Sequence, residues 1–150
     1  MSLIWDLLRT NSDVAFTILR VVLGVVFFAH GAQQALGWFG GFGFQGTVQS
    51  FKEQMGIPVS LTTLSIAAQF LGGIGLIIGL LGRVAALGIA ANMLVAMLKV
   101  HRRHGLFVDW FGTQKGHGME FHLLAIAMSI AIILDGSGAF SLDALLAGAN

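Results

Sequence analysis

Four long apolar segments, separated by short polar or glycine-rich stretches, dominate the chain. An α-helix rises about 1.5 Å per residue, so about 20 apolar residues are needed to cross the core of a bilayer. Each segment reaches or approaches that length, and the fourth is the shortest. The pattern predicts an all-α fold in which one domain, residues 1–150, forms a four-helix transmembrane bundle. The predicted spans are residues 14–36, 60–81, 84–100 and 119–134.

The stretch between the first and second predicted spans differs from the rest of the chain. Residues 37–44 alternate glycine with tryptophan and phenylalanine, and such aromatic side chains are typical of the membrane–water interface. Val48, Phe51 and Met55 then fall on one face of a helix. We therefore predict a glycine–aromatic interfacial loop, followed by a short amphipathic helix that lies on the membrane surface.

The first thirteen residues also have an amphipathic pattern. Leu3, Ile4, Leu7 and Leu8 recur at helical spacing, which predicts a short helix in the membrane interface. The segment contains two aspartates and no basic region before the apolar run, so we do not expect a cleaved signal peptide.

Composition supports a membrane protein and excludes several other classes. Hydrophobic residues make up 56% of the chain and charged residues 10%, whereas a soluble domain is about 25% charged. The lipid bilayer is therefore the first predicted partner. The net charge of +1 without a basic stripe argues against nucleic-acid binding. With no cysteine, the chain has no ligands for a thiolate metal site or a thiolate-bound iron–sulfur cluster.

Antiparallel helices determine which polar residues meet. We call the membrane side of the first span's start side A, and the side of its end side B. Gly82 and Arg83 alone separate the second and third spans, so these two spans are antiparallel neighbours. Side A then receives Arg20 and Asp135, for which we predict a structural ion pair. Side B receives His30, Gln33, Gln34, Lys99, His101, His104, His117, Glu120 and His122.

The polar residues of side B predict a binding site within the membrane. His30, Gln34 and Glu120 come from distant parts of the chain but reach one level, with Gln69 and Asn92 predicted to lie beneath them. Polar groups inside a membrane usually face a cavity or one another. An imidazole, a carboxylate and amides fit the headgroup of a quinone, and a hydrogen-bonded network without a ligand is the alternative. The predicted site consists of His30, Gln34, Trp38, Gln69, Asn92 and Glu120.

A metal site is a weaker alternative on the same side. His101 and His104 are three residues apart, and imidazole suits zinc or iron. The two arginines between them oppose a cation, so a basic membrane anchor explains this stretch more simply. We predict no metal, with the following as the candidate ligands if one binds: His101, His104, His117 and His122.

Several stretches together resemble the DoxX family of small prokaryotic membrane proteins. They are RVVLGVVFFAHGAQQALGWFGG, GRVAA, HGLF, GMEFHLLAIA and GSGAFSLD, and they run in the family's order from about Arg20 to Asp143. The family's arginine, His-Gly pair and glutamate match Arg20, His30–Gly31 and Glu120. One departure is Gln34, where many relatives have a lysine.

The resemblance implies a four-helix bundle and a link to quinone-dependent redox systems, since the related DoxD subunit belongs to a thiosulfate:quinone oxidoreductase. It also implies the cytoplasmic membrane of a prokaryote. Side B has only two more basic residues than side A, a margin too small for the positive-inside rule to fix the orientation. We therefore expect an oxidoreductase subunit that acts with other membrane subunits or as a homo-oligomer. A non-catalytic accessory subunit and a small-solute channel or transporter are the alternatives.

Overall fold

The computed structural model describes residues 3–148, and all regular structure within them is helical. Three helices are long and apolar enough to cross a membrane, Val14–Leu36, Val59–Ile78 and Gly82–His104. The protein is therefore an integral membrane protein. The α-helices are α1 Leu3–Leu8, α2 Val14–Leu36, α3 Gly43–Met55, α4 Val59–Ile78, α5 Gly82–Ala96, α6 Glu120–Asp135 and α7 Leu142–Gly148.

Local signals set the ends of α2. The side chain of Asp13 accepts a hydrogen bond from the backbone N–H of Ala15 at 2.8 Å and caps the start of the helix. Gly37 ends it in the left-handed conformation with φ 75°, and its N–H reaches the carbonyl of Ala32. The observed bounds match the predicted first span.

The second predicted span is shorter in the structure. α4 ends at Ile78, because Gly79 turns into the left-handed conformation with φ 71°. The third is longer than predicted, since α5 continues through a π-helical segment, Met97–His101, and a 3₁₀ turn, Arg102–His104. The apolar run alone did not reveal either change.

Four helices pack into a closed ring: α2 on α4, α4 on α5, α5 on α6, and α6 on α2. Neighbours run antiparallel, as the sequence predicts. Their core contains Phe27, Leu76, Ile89 and Ile132, whose side chains are fully buried. α6 has 16 residues and is shorter than the three candidate spans.

Two short helices lie outside this ring at side A. α1 and α7 pack against each other, and α1 also contacts α5. The predicted N-terminal helix is present as α1, but residues 1 and 2 lie outside the described part of the chain.

The amphipathic helix between the first two spans is also present, as α3, and it packs on α2 and α4. The buried hydroxyl of Thr47 donates to the carbonyl oxygen of Gln34 at 3.3 Å, which fixes α3 to the end of α2.

Candidate functional site

Four polar side chains form a connected network between α2, α4 and α5, which we call the amide network. Gln34 and Gln69 pair reciprocally, with N–O distances of 3.3 and 3.0 Å. The hydroxyl of Ser65 donates to Oδ1 of Asn92 at 2.7 Å. Ser65 also lies one turn from Gln69, whose Nε2 is 3.5 Å from the Ser65 hydroxyl. The structure thus brings together three of the predicted site residues and adds Ser65, which sequence reasoning missed.

The amide network is largely satisfied by its own members. The amide oxygens of Gln34 and Gln69 each accept a hydrogen bond from the other residue, and Oδ1 of Asn92 accepts from a hydroxyl. Interhelical hydrogen bonds of this kind stabilise membrane helices by about 0.6 kcal/mol each on average. The network therefore suits a role in holding three helices in register.

His30 lies in a different group, which we call the imidazole–aromatic cluster and which consists of Phe27, His30, His101, Phe121 and His122. The ring centroids of His30 and Phe121 are 6.1 Å apart, and those of Phe121 and His122 are 5.5 Å apart. The ring of His122 also packs on the ring of His101, with the two centroids 4.1 Å apart. The cluster runs from the exposed ring of His30 to the buried ring of His122, between α2, α6 and the π-helical end of α5.

His122 is the unusual member of the cluster. Its side chain is only 6% exposed, and its Nδ1 atom is buried without a hydrogen-bond partner among the described residues. Buried polar atoms are nearly always paired, because an unpaired one costs about 1–3 kcal/mol. Such an atom beside the rings of His101 and Phe121 marks a place where a ligand with polar atoms would be favoured.

A backbone carbonyl fixes the orientation of His101. Its Nδ1 atom lies 2.8 Å from the carbonyl oxygen of His117, which can only accept, so Nδ1 carries the proton. The Nε2 atom of a neutral His101 ring is then an acceptor. Sequence reasoning had placed His101 and His122 on side B, but it had considered them only as candidate metal ligands.

The four candidate metal ligands do not converge. His101 and His122 are in contact, whereas the ring of His104 lies against Gly116. His117 uses its Nδ1 atom to accept a hydrogen bond from the backbone N–H of Asp109. Within residues 3–148, no three histidine or carboxylate side chains are grouped in a way that could hold a metal ion.

Glu120 and Trp38 bind neither to the amide network nor to each other. Oε1 of Glu120 accepts a hydrogen bond from the backbone N–H of Val108 at 2.9 Å, so Glu120 binds the loop before α6. Trp38 is 51% exposed and contacts Phe39 edge-on in the 3₁₀ turn Trp38–Gly40. The predicted site residues therefore fall into separate groups, because the helix rotations turn these side chains in different directions.

Arg20 is bound differently from the prediction. Its guanidinium donates to the carbonyl oxygens of Leu76, Ile77, Ser137 and Phe140, at distances of 2.6 to 2.7 Å. The side chain is 1% exposed. We call this arrangement the arginine clamp.

The predicted partner of Arg20, Asp135, is exposed at the end of α6. The carboxylate that interacts with the charge of Arg20 is Asp143. The predicted ion pair is thus replaced by carbonyl groups, which become available because α4 ends near Arg20.

Asp143 is the second buried charge at side A. Its carboxylate accepts from the backbone N–H groups of Leu81 and Gly82 at 2.7 and 2.9 Å, and from the hydroxyl of Ser137 at 2.6 Å. These N–H groups lie at the start of α5, where a helix dipole favours an anion. Leu81 has φ 51°, a strained conformation that these bonds support. Sequence reasoning missed this capping role of Asp143.

Comparison with known proteins assigns the chain to a family. The DoxX family model matches residues 15–102, more than half of the chain. The chain belongs to the DoxX family. This confirms the resemblance seen in the sequence, and the match covers α2 to α5, including the amide network and Arg20.

Two curated proteins are similar to this DoxX chain over most of its length. "Putative oxidoreductase CatD" of Bacillus subtilis (strain 168) is 28% identical over 136 residues, covering 91% of this chain and 90% of the relative. "Inner membrane protein YqjF" of Escherichia coli (strain K12) is 28% identical over 139 residues, covering 93% and 97%. No solved structure matches this DoxX chain significantly.

Proposed function

We propose that this DoxX protein is the membrane subunit of a quinone-linked redox system, with the quinone headgroup held at the imidazole–aromatic cluster. The observation that carries the proposal is the buried, unpartnered Nδ1 of His122 beside the rings of His101 and Phe121. The name of the Bacillus subtilis relative, "Putative oxidoreductase CatD", supports the redox part.

The chemistry of the cluster fits a quinone headgroup. Imidazole N–H groups can donate hydrogen bonds to a carbonyl oxygen. Flat aromatic rings stack favourably on one another, and the half-buried ring of Phe121 offers such a surface beside His30 and His122. Because His30 is exposed near the side B end of α2, a lipid-soluble ligand could reach the cluster from outside the protein.

In this proposal His122 and His101 have different roles. His122 binds a carbonyl oxygen, and His101, oriented by the His117 carbonyl, passes protons from side B. A bound quinone would accept two electrons and two protons. We propose a partner subunit as the electron donor, because a chain without cysteine has no thiolates to hold an iron–sulfur cluster.

The proposal includes α6 as a fourth membrane span. Its 16 residues cover about 24 Å at 1.5 Å per residue, less than a core of about 30 Å. α6 packs against two neighbouring helices, and the apolar stretch from Phe121 to Leu134 contains no charge. Local thinning of the bilayer would accommodate its shortness at a modest cost.

Quinone binding by purified protein tests the proposal. We expect lipid extracts of the protein to contain quinone in a stoichiometric amount. We also expect the variant His122→Ala to bind added quinone at least ten times more weakly, because the ligand loses its buried polar partner. Equilibrium binding in detergent measures both.

His104→Ala is the matched control, since that ring lies against Gly116 and outside the cluster. Its quinone affinity should equal that of the unmodified protein. Neither co-purified quinone nor binding of added quinone would contradict the proposal, and so would equal losses in both variants.

The closed amide network supports a second candidate, a non-catalytic accessory subunit of a larger membrane complex. Such a subunit needs helices held rigidly in register, and Gln34, Gln69 and Asn92 provide this without a ligand. Native mass measurement after gentle detergent extraction tests it. Association with other subunits, together with absence of quinone, is the expected result, whereas a monomer or homo-oligomer would contradict it.

A further inference from the structure

The loop between α5 and α6, residues 105–118, has an ordered backbone, and we call it the tip loop. Three backbone hydrogen bonds close its base: Gly118 N–H to Phe107, Met119 N–H to Gly105 and Glu120 N–H to Leu106, at 2.8 to 3.1 Å. The loop leaves the last turn of a candidate membrane span, which ends at His104. Its base is therefore fixed at the side B end of the helix ring.

Two carboxylates hold the tip loop from inside. Glu120 accepts from the N–H of Val108 at 2.9 Å, and Asp109 accepts from the N–H groups of Thr113 and Gln114 at 3.0 Å each. Partial desolvation of the Asp109 carboxylate raises its pKa. Hydrogen bonds from the backbone N–H groups of residues 111–114 lower the pKa by more. The net pKa of Asp109 lies below its ordinary value, so the carboxylate stays charged and keeps the turn in place at neutral pH.

This turn displays large aromatic side chains to the outside. Trp110 is 78% exposed and Phe111 is 89% exposed, and Phe107 follows at 66%. Such side chains are unfavourable in water. A turn held by the hydrogen bonds to Asp109 and Glu120 lets them enter an apolar phase with little further loss of conformational entropy. The tip loop is thus pre-organised for contact with something apolar.

The charges around the tip loop are mostly positive. Arg102, Arg103 and Lys115 are exposed, whereas the carboxylate of Asp109 is directed to backbone N–H groups. Each basic residue near a membrane surface favours binding to acidic lipids. A second group of exposed aromatic residues, Trp38, Phe39 and Phe42, follows α2 and also lies at side B. Such groups are typical of the aromatic belt at the bilayer interface.

We propose that the tip loop is a binding surface for anionic phospholipids: Trp110 and Phe111 enter the bilayer interface at side B, and Arg102, Arg103 and Lys115 contact the acidic headgroups. The surface lies outside the imidazole–aromatic cluster, and the proposal does not depend on quinone binding. A second copy of the chain would not be attracted by the same cluster of positive charges, which is why a lipid surface fits better.

Fluorescence of Trp110 tests the insertion. The protein has three tryptophans, so the double variant Trp5→Phe, Trp38→Phe leaves Trp110 as the only one. In vesicles of phosphatidylcholine and phosphatidylglycerol, lipids with brominated acyl chains should quench Trp110, and acrylamide in the water should not. Asp109→Ala in this background should weaken the quenching by bromine, because the released turn no longer presents the ring.

Competition between spin-labelled phosphatidylglycerol and phosphatidylcholine tests the charge preference. Loss of one basic residue corresponds to about a five-fold change in lipid affinity, so Arg102→Gln and Arg103→Gln should each lower the preference for phosphatidylglycerol to that extent. Arg9→Gln is the matched control, because it removes an exposed arginine at side A, and it should leave the preference unchanged.

Three results would overturn the proposal. Quenching of Trp110 by acrylamide but not by brominated lipid would place the tip loop in water. Protection from both quenchers that depends on protein concentration would indicate a contact between copies. Equal binding of the two lipids by the unmodified protein would remove the anionic headgroup as the ligand. Gel filtration in detergent and thermal unfolding check that each variant remains folded.

Discussion

Arg20 shows how this protein accommodates a fully buried charge. The last carbonyls of a helix have no partner within the helix, and they carry the negative end of its dipole. Arg20 satisfies two of them, Leu76 and Ile77, and two further carbonyls in the segment before α7. Gly79 makes this possible, because a Cβ there would lie 2.9 Å from the guanidinium carbon. One side chain thus joins α2, the end of α4 and the segment before α7.

Replacing Arg20 by methionine should lower the free energy of unfolding by about 3–5 kcal/mol, the cost of breaking a buried charged pair. Methionine keeps much of the side-chain volume but leaves four buried carbonyls without donors and Asp143 without its nearby cation. Thermal unfolding in detergent, followed by circular dichroism, measures the change.

Arg9→Met is the control for this experiment. The side chain of Arg9 is exposed at the same side A, and its backbone carbonyl, which accepts from Arg83, is retained in the variant. The free energy of unfolding should change by less than about 0.5 kcal/mol. Equal effects of the two substitutions would show that the carbonyl contacts of Arg20 contribute nothing.

α2 and α4 pack closely because glycines lie where they cross. A Cβ at Gly31 would overlap the backbone of Phe70, and a Cβ at Gly73 would overlap the backbone of Phe28. A Cβ at Gly24 would lie 2.9 Å from the carbonyl oxygen of Gly73. Small residues at such crossings let membrane helices approach closely. The same approach brings Gln34 within hydrogen-bonding distance of Gln69.

The adjacent glycines of α4 give a sensitive test of this packing. Gly73→Ala should destabilise the protein by about 1–3 kcal/mol, since overpacking forces the two helices apart. Gly72→Ala should be neutral or stabilising, because its Cβ would meet Ala85 at an ordinary 3.7 Å and alanine favours the helix. Thermal unfolding of both variants measures the difference. A similar loss in both would show that the crossing tolerates a methyl group.

The whole molecule is a ring of antiparallel helices with a different polar arrangement at each end. Side A is closed by the arginine clamp and by Asp143, both buried. Side B has the amide network, the imidazole–aromatic cluster and the tip loop. This asymmetry supports a ligand that approaches from side B or from the adjacent lipid.

The proposed fourth span makes a prediction about both ends of the chain. An even number of spans returns the chain to the side from which it started, so reporters fused to either end should give the same signal. A reporter inserted after Thr113 in the tip loop should give the opposite signal. Dual alkaline phosphatase and fluorescent-protein fusions measure this. Opposite signals from the two ends would mean that α6 does not cross the membrane.

The pattern of apolar residues was sufficient to predict α1 to α6 and their order, but it did not predict α7. Whether a segment can cross a bilayer depends on its own length and hydropathy, so this property can be read from each segment of the sequence separately. The pattern predicted α2 correctly, and it placed His30, His101, His122 and the polar residues of α4 and α5 toward side B.

The tertiary structure decided which polar atoms meet and which glycines carry the close packing. Hydrogen bonds depend on the rotation of each helix about its axis and on where it ends, and neither can be read from composition. α4 ends three residues earlier than predicted, and the carbonyls freed there bind Arg20 in place of Asp135. Helix rotation likewise separates His30 and Glu120 from the amide network, which leaves His122 in the aromatic surroundings on which the proposed function rests.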